Sequence, residues 1–213
     1  ADIQGVCDSL ARKGYVAAAI NYRLGLNVAD NGSAERAVWR GAQDYSAAIR
    51  FFKEYADSFR IDTNYIFAGG VSAGSFSLLH CQYANDAQRP ASTYASSFPI
   101  APDLGCKDCS GNNFAHSSAV RAAINCWGAI GDTAWIDALD SVPLLSFHGD
   151  LDPIVPYAYG FPFTALLTLP RVYGSSLIAT RTDHIGLPHQ FVPFPGEGHN
   201  IWGTVALNAW APG

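Results

Sequence analysis

With 213 residues, 49% of them hydrophobic and 15% charged, the chain holds enough apolar material for one globular domain with a substantial core. Its net charge of −5 and its 13 scattered basic residues, with no basic block interleaved with aromatics, exclude nucleic acid from the expected partners. No apolar run approaches the roughly 18 residues that a membrane span needs, and no charged-then-apolar secretion signal opens the chain.

Ala1 precedes a helix-compatible stretch, Asp2 to Lys13, and methionine is absent throughout, so the chain reads as a mature or trimmed piece that starts downstream of a natural N-terminus. Gly14 ends that helix before Tyr15 to Tyr22, an apolar run of strand length. After a polar loop, Ser33 is the expected N-cap of a long helix in which Val38, Ala42, Tyr45, Ile49 and Phe52 recur on one core-facing side. A short strand, Tyr65 to Gly69, leads into a helix-compatible stretch, Ser75 to His80. Arg89 to Ser118 has little periodicity and reads as a long loop or small cap. A strand from Val120 to Trp127, a short helix near Thr133 to Leu139 and a buried-type strand, Val142 to Phe147, follow. Pro156 to Pro188 reads as a second irregular segment. A strand from Gln190 to Phe194 and a helix from Ile201 to Ala209 close the chain. Strands alternating with helices imply a mostly parallel sheet, with its site at the carboxyl ends of the strands.

Gly70-Val71-Ser72-Ala73-Gly74 spells G-x-S-x-G between the strand ending at Gly69 and the following helix. A serine raised on a tight strand-to-helix turn takes a strained backbone and needs small flanking residues, here Gly70 and Gly74. The helix start aims N–H groups and a positive dipole end at the place where an oxyanion would form. Serine alone is a poor nucleophile and needs an imidazole base with a carboxylate behind it. The strand ending at Phe147 runs into His148-Gly149-Asp150-Leu151-Asp152, so Asp150 and Asp152 both qualify, and the last strand runs into Gly196-Glu197-Gly198-His199. Nucleophile, acid and base thus come in the chain order Ser, Asp, His, each just after a strand.

These residues resemble the α/β-hydrolase superfamily, and within it the carboxylesterases and hormone-sensitive-lipase-like esterases. The likeness rests on Phe59 to Gly74 as the approach to the elbow, on Asn21-Tyr22-Arg23-Leu24, on the H-G-x-x-D-x-x-V-P stretch from His148 to Pro156, and on G-x-G-H ending at His199. It implies an α/β-hydrolase fold in a single domain over residues 1–213, a mostly parallel sheet flanked by helices and without its N-terminal strands, with cap or loop segments at about 89–118 and 156–188. It also implies a serine hydrolase that cleaves carboxylic esters through an acyl-enzyme. Ser72 would be the nucleophile, His199 the base and Asp152 the acid, with Asp150 the second choice. The Ala73 N–H would supply one oxyanion donor. The other donor usually comes from a Gly-rich H-G-G-G loop, which does not occur in these residues and would fall upstream of Ala1. No metal or organic cofactor is implied, and the partner would be a small-molecule or polysaccharide-linked ester. A peptidase of the prolyl-oligopeptidase type, or a binding module that keeps the fold without turnover, is the alternative.

Each residue has a plainer reading. Asp150 or Asp152 could simply cap the helix that follows, and His148, at a strand end, is expected to be structural and outside the catalytic set. His80, His116, His184 and His189 are expected on the surface or in loops. Trp127, Tyr157, Tyr159, Phe161 and Phe163 are either pocket lining or plain core. Of the five cysteines, Cys106 and Cys109 are expected to form a disulfide, ahead of free thiols or metal binding, which points to an extracellular or periplasmic protein. Cys81, on the elbow helix, is expected to be buried.

Overall fold

The computed structural model describes residues 3–97, 100–164 and 166–201. The first helix, α1 (Ile3–Arg12), ends in a turn at Gly14, whose φ of +91° suits glycine. The run from Tyr15 to Tyr22 is not a strand: it has no regular structure, and Tyr15 and Val16 are exposed. Three successive alanines have weak strand preference, and no described strand lies alongside to take up the main-chain donors and acceptors.

Helix α2 (Asn31–Glu54) starts earlier than expected because Asp30, not Ser33, caps it, its carboxylate accepting from Gly32 N at 3.0 Å. Ser33 instead braces the preceding loop, donating to Gly25 O and accepting from Asn27 N. Ala42, Tyr45 and Ile49 are buried as the helical spacing requires. A short helix α3 (Ala56–Phe59) and a 3-10 turn, Thr63–Tyr65, follow, and Asp62 caps that turn and delays the next strand to β1 (Phe67–Val71). The elbow helix α4 (Ala73–Tyr83) then packs against α2.

The segment after α4 holds a two-stranded ribbon of β2 (Ser96–Ser97) and β3 (Ile100–Ala101). Buried side chains of α2 hold its irregular remainder: Trp39 Nε1 donates to Gly105 O, Gln43 to Leu104 O and Cys106 O, and Arg50 to Asp108 O and Ser110 O. Cys106 and Cys109 are joined in a disulfide, and Cys81 is buried. Strands β4 (Ala122–Cys126) and β5 (Ala129–Ile130) come next. The helix expected near Thr133–Leu139 is only a 3-10 turn, Thr133–Trp135. The side chains of Asp132, Asp137 and Asp140 take backbone N–H groups there and so compete with helix formation.

Strand β6 (Leu144–Gly149) is followed by β7 (Tyr159–Gly160), β8 (Val172–Gly174), helix α5 (Ser175–Ile185) and β9 (His189–Phe194). The expectation of an irregular stretch from Pro156 to Pro188 is therefore corrected. Ile178, Ala179 and Thr182 sit at helical spacing and are buried, and Gly186 ends α5 in the left-handed conformation at φ +72°. The expected closing helix lies outside the described residues beyond Ile201.

The central sheet has the order β1-β4-β6-β9 and is parallel throughout, while β5, β8 and β7 form a small antiparallel sheet. Side chains alternate between its two faces. Ala123 and Leu144 join Leu78, Leu79 and the apolar residues of α2 and α5 in the main core, whereas Cys126, Phe147 and Ile201 form a second cluster with Ile124, Leu145 and Val192. His80 is not a surface residue: it is buried at the end of α4, bonded to Phe76 O and edge-on to Trp135, and burial lowers its pKa to about 4.

Candidate active site

Ser72 stands between β1 and α4 with φ 52° and ψ −118°, a conformation that L residues rarely adopt. Several bonds hold it there. Ser72 N donates to Cys126 O at 2.9 Å, tying the elbow to the neighbouring strand. The Ser75 hydroxyl donates to Gly70 O at 2.5 Å and accepts from Cys126 N at 3.0 Å. Tyr45 Oη, reaching across from α2, donates to Gly69 O at 2.8 Å. A Cβ on Gly70 would lie 2.5 Å from the Gly74 carbonyl, so no side chain fits. Gly74 is less constrained, since a Cβ there would meet only Tyr45 Oη at 3.9 Å. Ala73 is the first residue of the helix, where a backbone N–H has no intrahelical acceptor.

The turn after β6 carries both carboxylates, and the structure separates their tasks. Asp150 Oδ1 accepts from Gly196 N at 2.7 Å and so ties this turn to the one after β9. Leu151 N donates to Glu197 O at 3.0 Å beside it. Asp152 is fully buried at its side chain, and its Oδ1 accepts from Ile154 N at 2.8 Å and Val155 N at 2.9 Å. No helix follows for Asp152 to cap, as its plainer reading had it; Oδ1 holds a turn instead, and the other oxygen faces His199 Nδ1 at 2.8 Å. His199 Nε2 in turn lies 2.8 Å from Ser72 Oγ. Ser72, His199 and Asp152 are therefore brought into one hydrogen-bonded row, and Asp150 is not part of it.

With Asp152 charged and accepting from Nδ1–H, His199 is left with its Nε2 lone pair facing the serine hydroxyl. Burial pushes the Asp152 pKa up, but bonds from His148, His199, Val155 N and Ile154 N outweigh it and hold the carboxyl below its ordinary value. His199 keeps 23% of its side chain exposed, whereas the Asp152 side chain is fully buried. Cys126, on the neighbouring strand, is buried, which pushes its thiol up to about 12 and keeps it protonated.

Sequence reasoning missed how closely His148 bears on this row. It is fully buried, as a structural residue would be, yet its Nε2 lies 3.2 Å from the Asp152 Oδ2 that also receives His199. Its position four residues before the acid was the available signal.

The aromatic candidates divide. Trp127 is core, with φ 43° and its ring 6.4 Å from that of His199. Tyr157 lies edge-on to His148 and tilted against Phe191. Tyr159 packs on Tyr173 and Phe163 is exposed. Phe161 lines a cavity of about 220 Å³ beside Asp152, shared with Pro153, Pro156 and Thr164. A larger cavity of about 490 Å³ lies along α2 and the loop after the disulfide, lined by Arg50, Asn112 and His116, and touches none of the three residues of the row. Among the described residues no helix is long and apolar enough to cross a membrane, and no cluster of side chains could hold a metal ion.

A strained serine elbow at the carboxyl end of one parallel strand, with an acid and a histidine after two later strands, defines an α/β-hydrolase. The BD-FAE family model matches residues 1–132, and the chain belongs to this family of α/β-hydrolase esterases. The matched stretch contains Ser72 and stops short of Asp152 and His199. The fold is similar to that of a thermophilic esterase from the planctomycete Thermogutta terrifontis with propionate bound, at 23% identity and a TM-score of 0.58, over 94% of this chain and 68% of that one. The same esterase phosphonylated by cyclosarin matches at 22% identity and a TM-score of 0.59, over 94% and 67% of the two chains. A truncated carbohydrate esterase from gut microbiota matches at 22% identity and a TM-score of 0.53, over 85% of this chain and 66% of that one. The chain thus spans about two thirds of the length of these structures. No curated protein matches the sequence.

Proposed function

We propose that the protein hydrolyses carboxylic esters through an acyl-enzyme on Ser72. The observation that carries this reading is the unbroken row from Ser72 Oγ to His199 to Asp152, with 2.8 Å at each step, mounted on a strained elbow. His199 Nε2 takes the hydroxyl proton as Oγ attacks the ester carbonyl, and the Asp152 charge stabilises the imidazolium that forms. The tetrahedral oxyanion is met by the Ala73 N–H and the positive end of α4. His199 then gives the proton to the departing alcohol, and a water attacks the acyl-serine with His199 again as base. No step needs a metal or an organic cofactor.

Membership of an esterase family favours an ester over an amide, and the likeness to a carbohydrate esterase makes acylated polysaccharides worth testing beside short-chain esters. The decisive experiment incubates the full chain with p-nitrophenyl acetate and, separately, with a fluorophosphonate probe. Ester turnover and one covalent adduct on the peptide containing Ser72 are expected; an unlabelled Ser72 or an adduct elsewhere would remove the reading.

The Cys106–Cys109 disulfide favours an exported protein, since such a bond persists in oxidising compartments. Alkylation of the protein in freshly lysed native cells, followed by mass spectrometry, is expected to find the pair oxidised; a fully reduced pair would argue for the cytosol.

A further inference from the structure

We propose that His148 is a positioning residue for Asp152, held as one defined tautomer by a buried chain through Ser175 and Asn125, and that it sets how strongly the acid grips His199. The proposal rests on the catalytic reading of Ser72, His199 and Asp152 above.

His148 Nε2 lies 3.2 Å from Asp152 Oδ2 and 3.2 Å from Val155 O, both acceptors. That nitrogen must therefore carry a hydrogen. Its other nitrogen, Nδ1, is 2.8 Å from Ser175 Oγ at the start of α5. The direction of that bond follows from the next residue along. Gly128 N donates to Asn125 Oδ1 at 2.9 Å, which fixes the amide, so Asn125 Nδ2 donates to Ser175 Oγ at 2.9 Å and to Ser146 Oγ at 3.1 Å. With Asn125 as its donor, Ser175 has one proton left to give. The closer acceptor is His148 Nδ1 at 2.8 Å, against Gly128 O at 3.4 Å. His148 is thereby a neutral imidazole with its single N–H on Nε2, aimed at the acid.

Every member of this chain is buried: Asn125, His148 and Ser175 at 0% and Ser146 at 3% exposed. Tyr157 covers the His148 ring edge-on. Polar groups so deep are costly unless fully paired, and here the pairing runs in a single direction from the sheet to the carboxylate.

The consequence is electrostatic. Asp152 Oδ2 is shared by His199 Nδ1 at 2.8 Å and His148 Nε2 at 3.2 Å, while Oδ1 is occupied by two backbone donors. Each donor draws off part of the negative charge that would otherwise stabilise a protonated His199. Without His148 the carboxylate acts more strongly on His199, raising its pKa and moving the acid limb of activity to higher pH. The oxygen is also freer to rotate while it keeps the Nδ1–H bond, which turns His199 Nε2 out of line with Ser72 Oγ and lowers kcat. Tyr157, edge-on to His148, and Asp150, two residues before Asp152, are ionisable groups beside the pair, and the substitutions below leave them in place.

The test uses the full chain with isotope-labelled histidine rings, read by NMR, together with p-nitrophenyl acetate kinetics. In the native protein, the ring nitrogen shifts of His148 are expected to report the Nε2–H tautomer; an Nδ1–H tautomer would overturn the proposal without any variant being made. His148→Asn can place its amide oxygen near the position of Nδ1, where it accepts from Ser175, and loses the reach to Asp152, whereas His148→Gln places an amide N–H near Nε2. For the Asn variant the pKa of His199 is expected to rise by about half a unit or more. Its kcat is expected to fall about tenfold to a hundredfold with KM changed by no more than about twofold. The Gln variant is expected to recover most of both. A folded Asn variant whose His199 titrates as in the native protein, or a Gln variant no closer to native than the Asn variant, would overturn it. A shifted His199 in a protein that turns over no ester would keep the positioning role and remove the hydrolase reading; ester turnover with an unmoved His199 would do the reverse.

Discussion

Ser72→Ala is expected to lower kcat for p-nitrophenyl acetate on the order of 10⁵-fold or more, leaving KM and the thermal midpoint close to native. The loss is that large because no neighbouring atom can take over the attack. Ser75 Oγ is buried and committed to Gly70 O at 2.5 Å, and the Cys126 thiol, pushed up to about 12, stays protonated. Fold stability should change little, since the bonds that hold the elbow use the backbone of Ser72 and the side chains of Ser75 and Tyr45. A residual rate of roughly 10³ over water, from the oxyanion donor and His199, is expected in this variant. Stopped assays of the purified variant against the native protein decide the matter: a loss smaller than about tenfold would exclude Ser72 as the nucleophile.

Asp152→Asn should cost about 10⁴-fold in kcat with the fold retained. An amide whose oxygen keeps the bonds to Ile154 N and Val155 N presents its NH₂ where Oδ2 stood, toward His199 Nδ1 and His148 Nε2. A donor cannot face Nδ1–H, so His199 is driven to the tautomer with its proton on Nε2, which cannot accept from Ser72. The variant should also lose stability in a way that depends on pH. Because the folded pKa of Asp152 lies below the unfolded value of 3.8, its charge stabilises the native state above that value, and the benefit fades as pH falls through the folded pKa. The gap in denaturation midpoint between native and Asn proteins should therefore be widest near neutrality and narrow below pH about 4. Urea melts at neutral and acidic pH, with kcat measured on the same samples, test both halves; an unchanged kcat would move the acid to another residue.

The parts of this site that are local in the chain were legible as sequence. G-x-S-x-G between an apolar run and a helix, H-G-x-x-D after a buried-type strand and G-x-G-H after the last one are short patterns, and their spacing along the chain needs no knowledge of what packs beside them. The same holds for the Cys106–Cys109 pair and for the buried face of α2, where helical periodicity carries the signal. Errors arose where a local preference had a competitor. Asp30 displaced Ser33 as a cap, aspartate side chains unwound the expected helix after β5, and Tyr15 to Tyr22 found no strand beside it among the described residues. Helix α5 was hidden by the glycines, prolines and aromatics around it, although Ile178, Ala179 and Thr182 carry a helical pattern.

What the sequence by itself determined was the set of candidates, Ser72, the pair Asp150 and Asp152, and His199, and their order, because each is written beside the strand that delivers it. Only the tertiary structure decided between Asp150 and Asp152 by geometry, and only it brought His148, Ser175 and Asn125 behind the acid. Those choices depend on β4, β6 and β9 lying in register in a parallel sheet, where residues far apart in sequence face one another across about 4.8 Å. Hydrogen bonds at that range are set by the approach of strands and not by spacing along the chain.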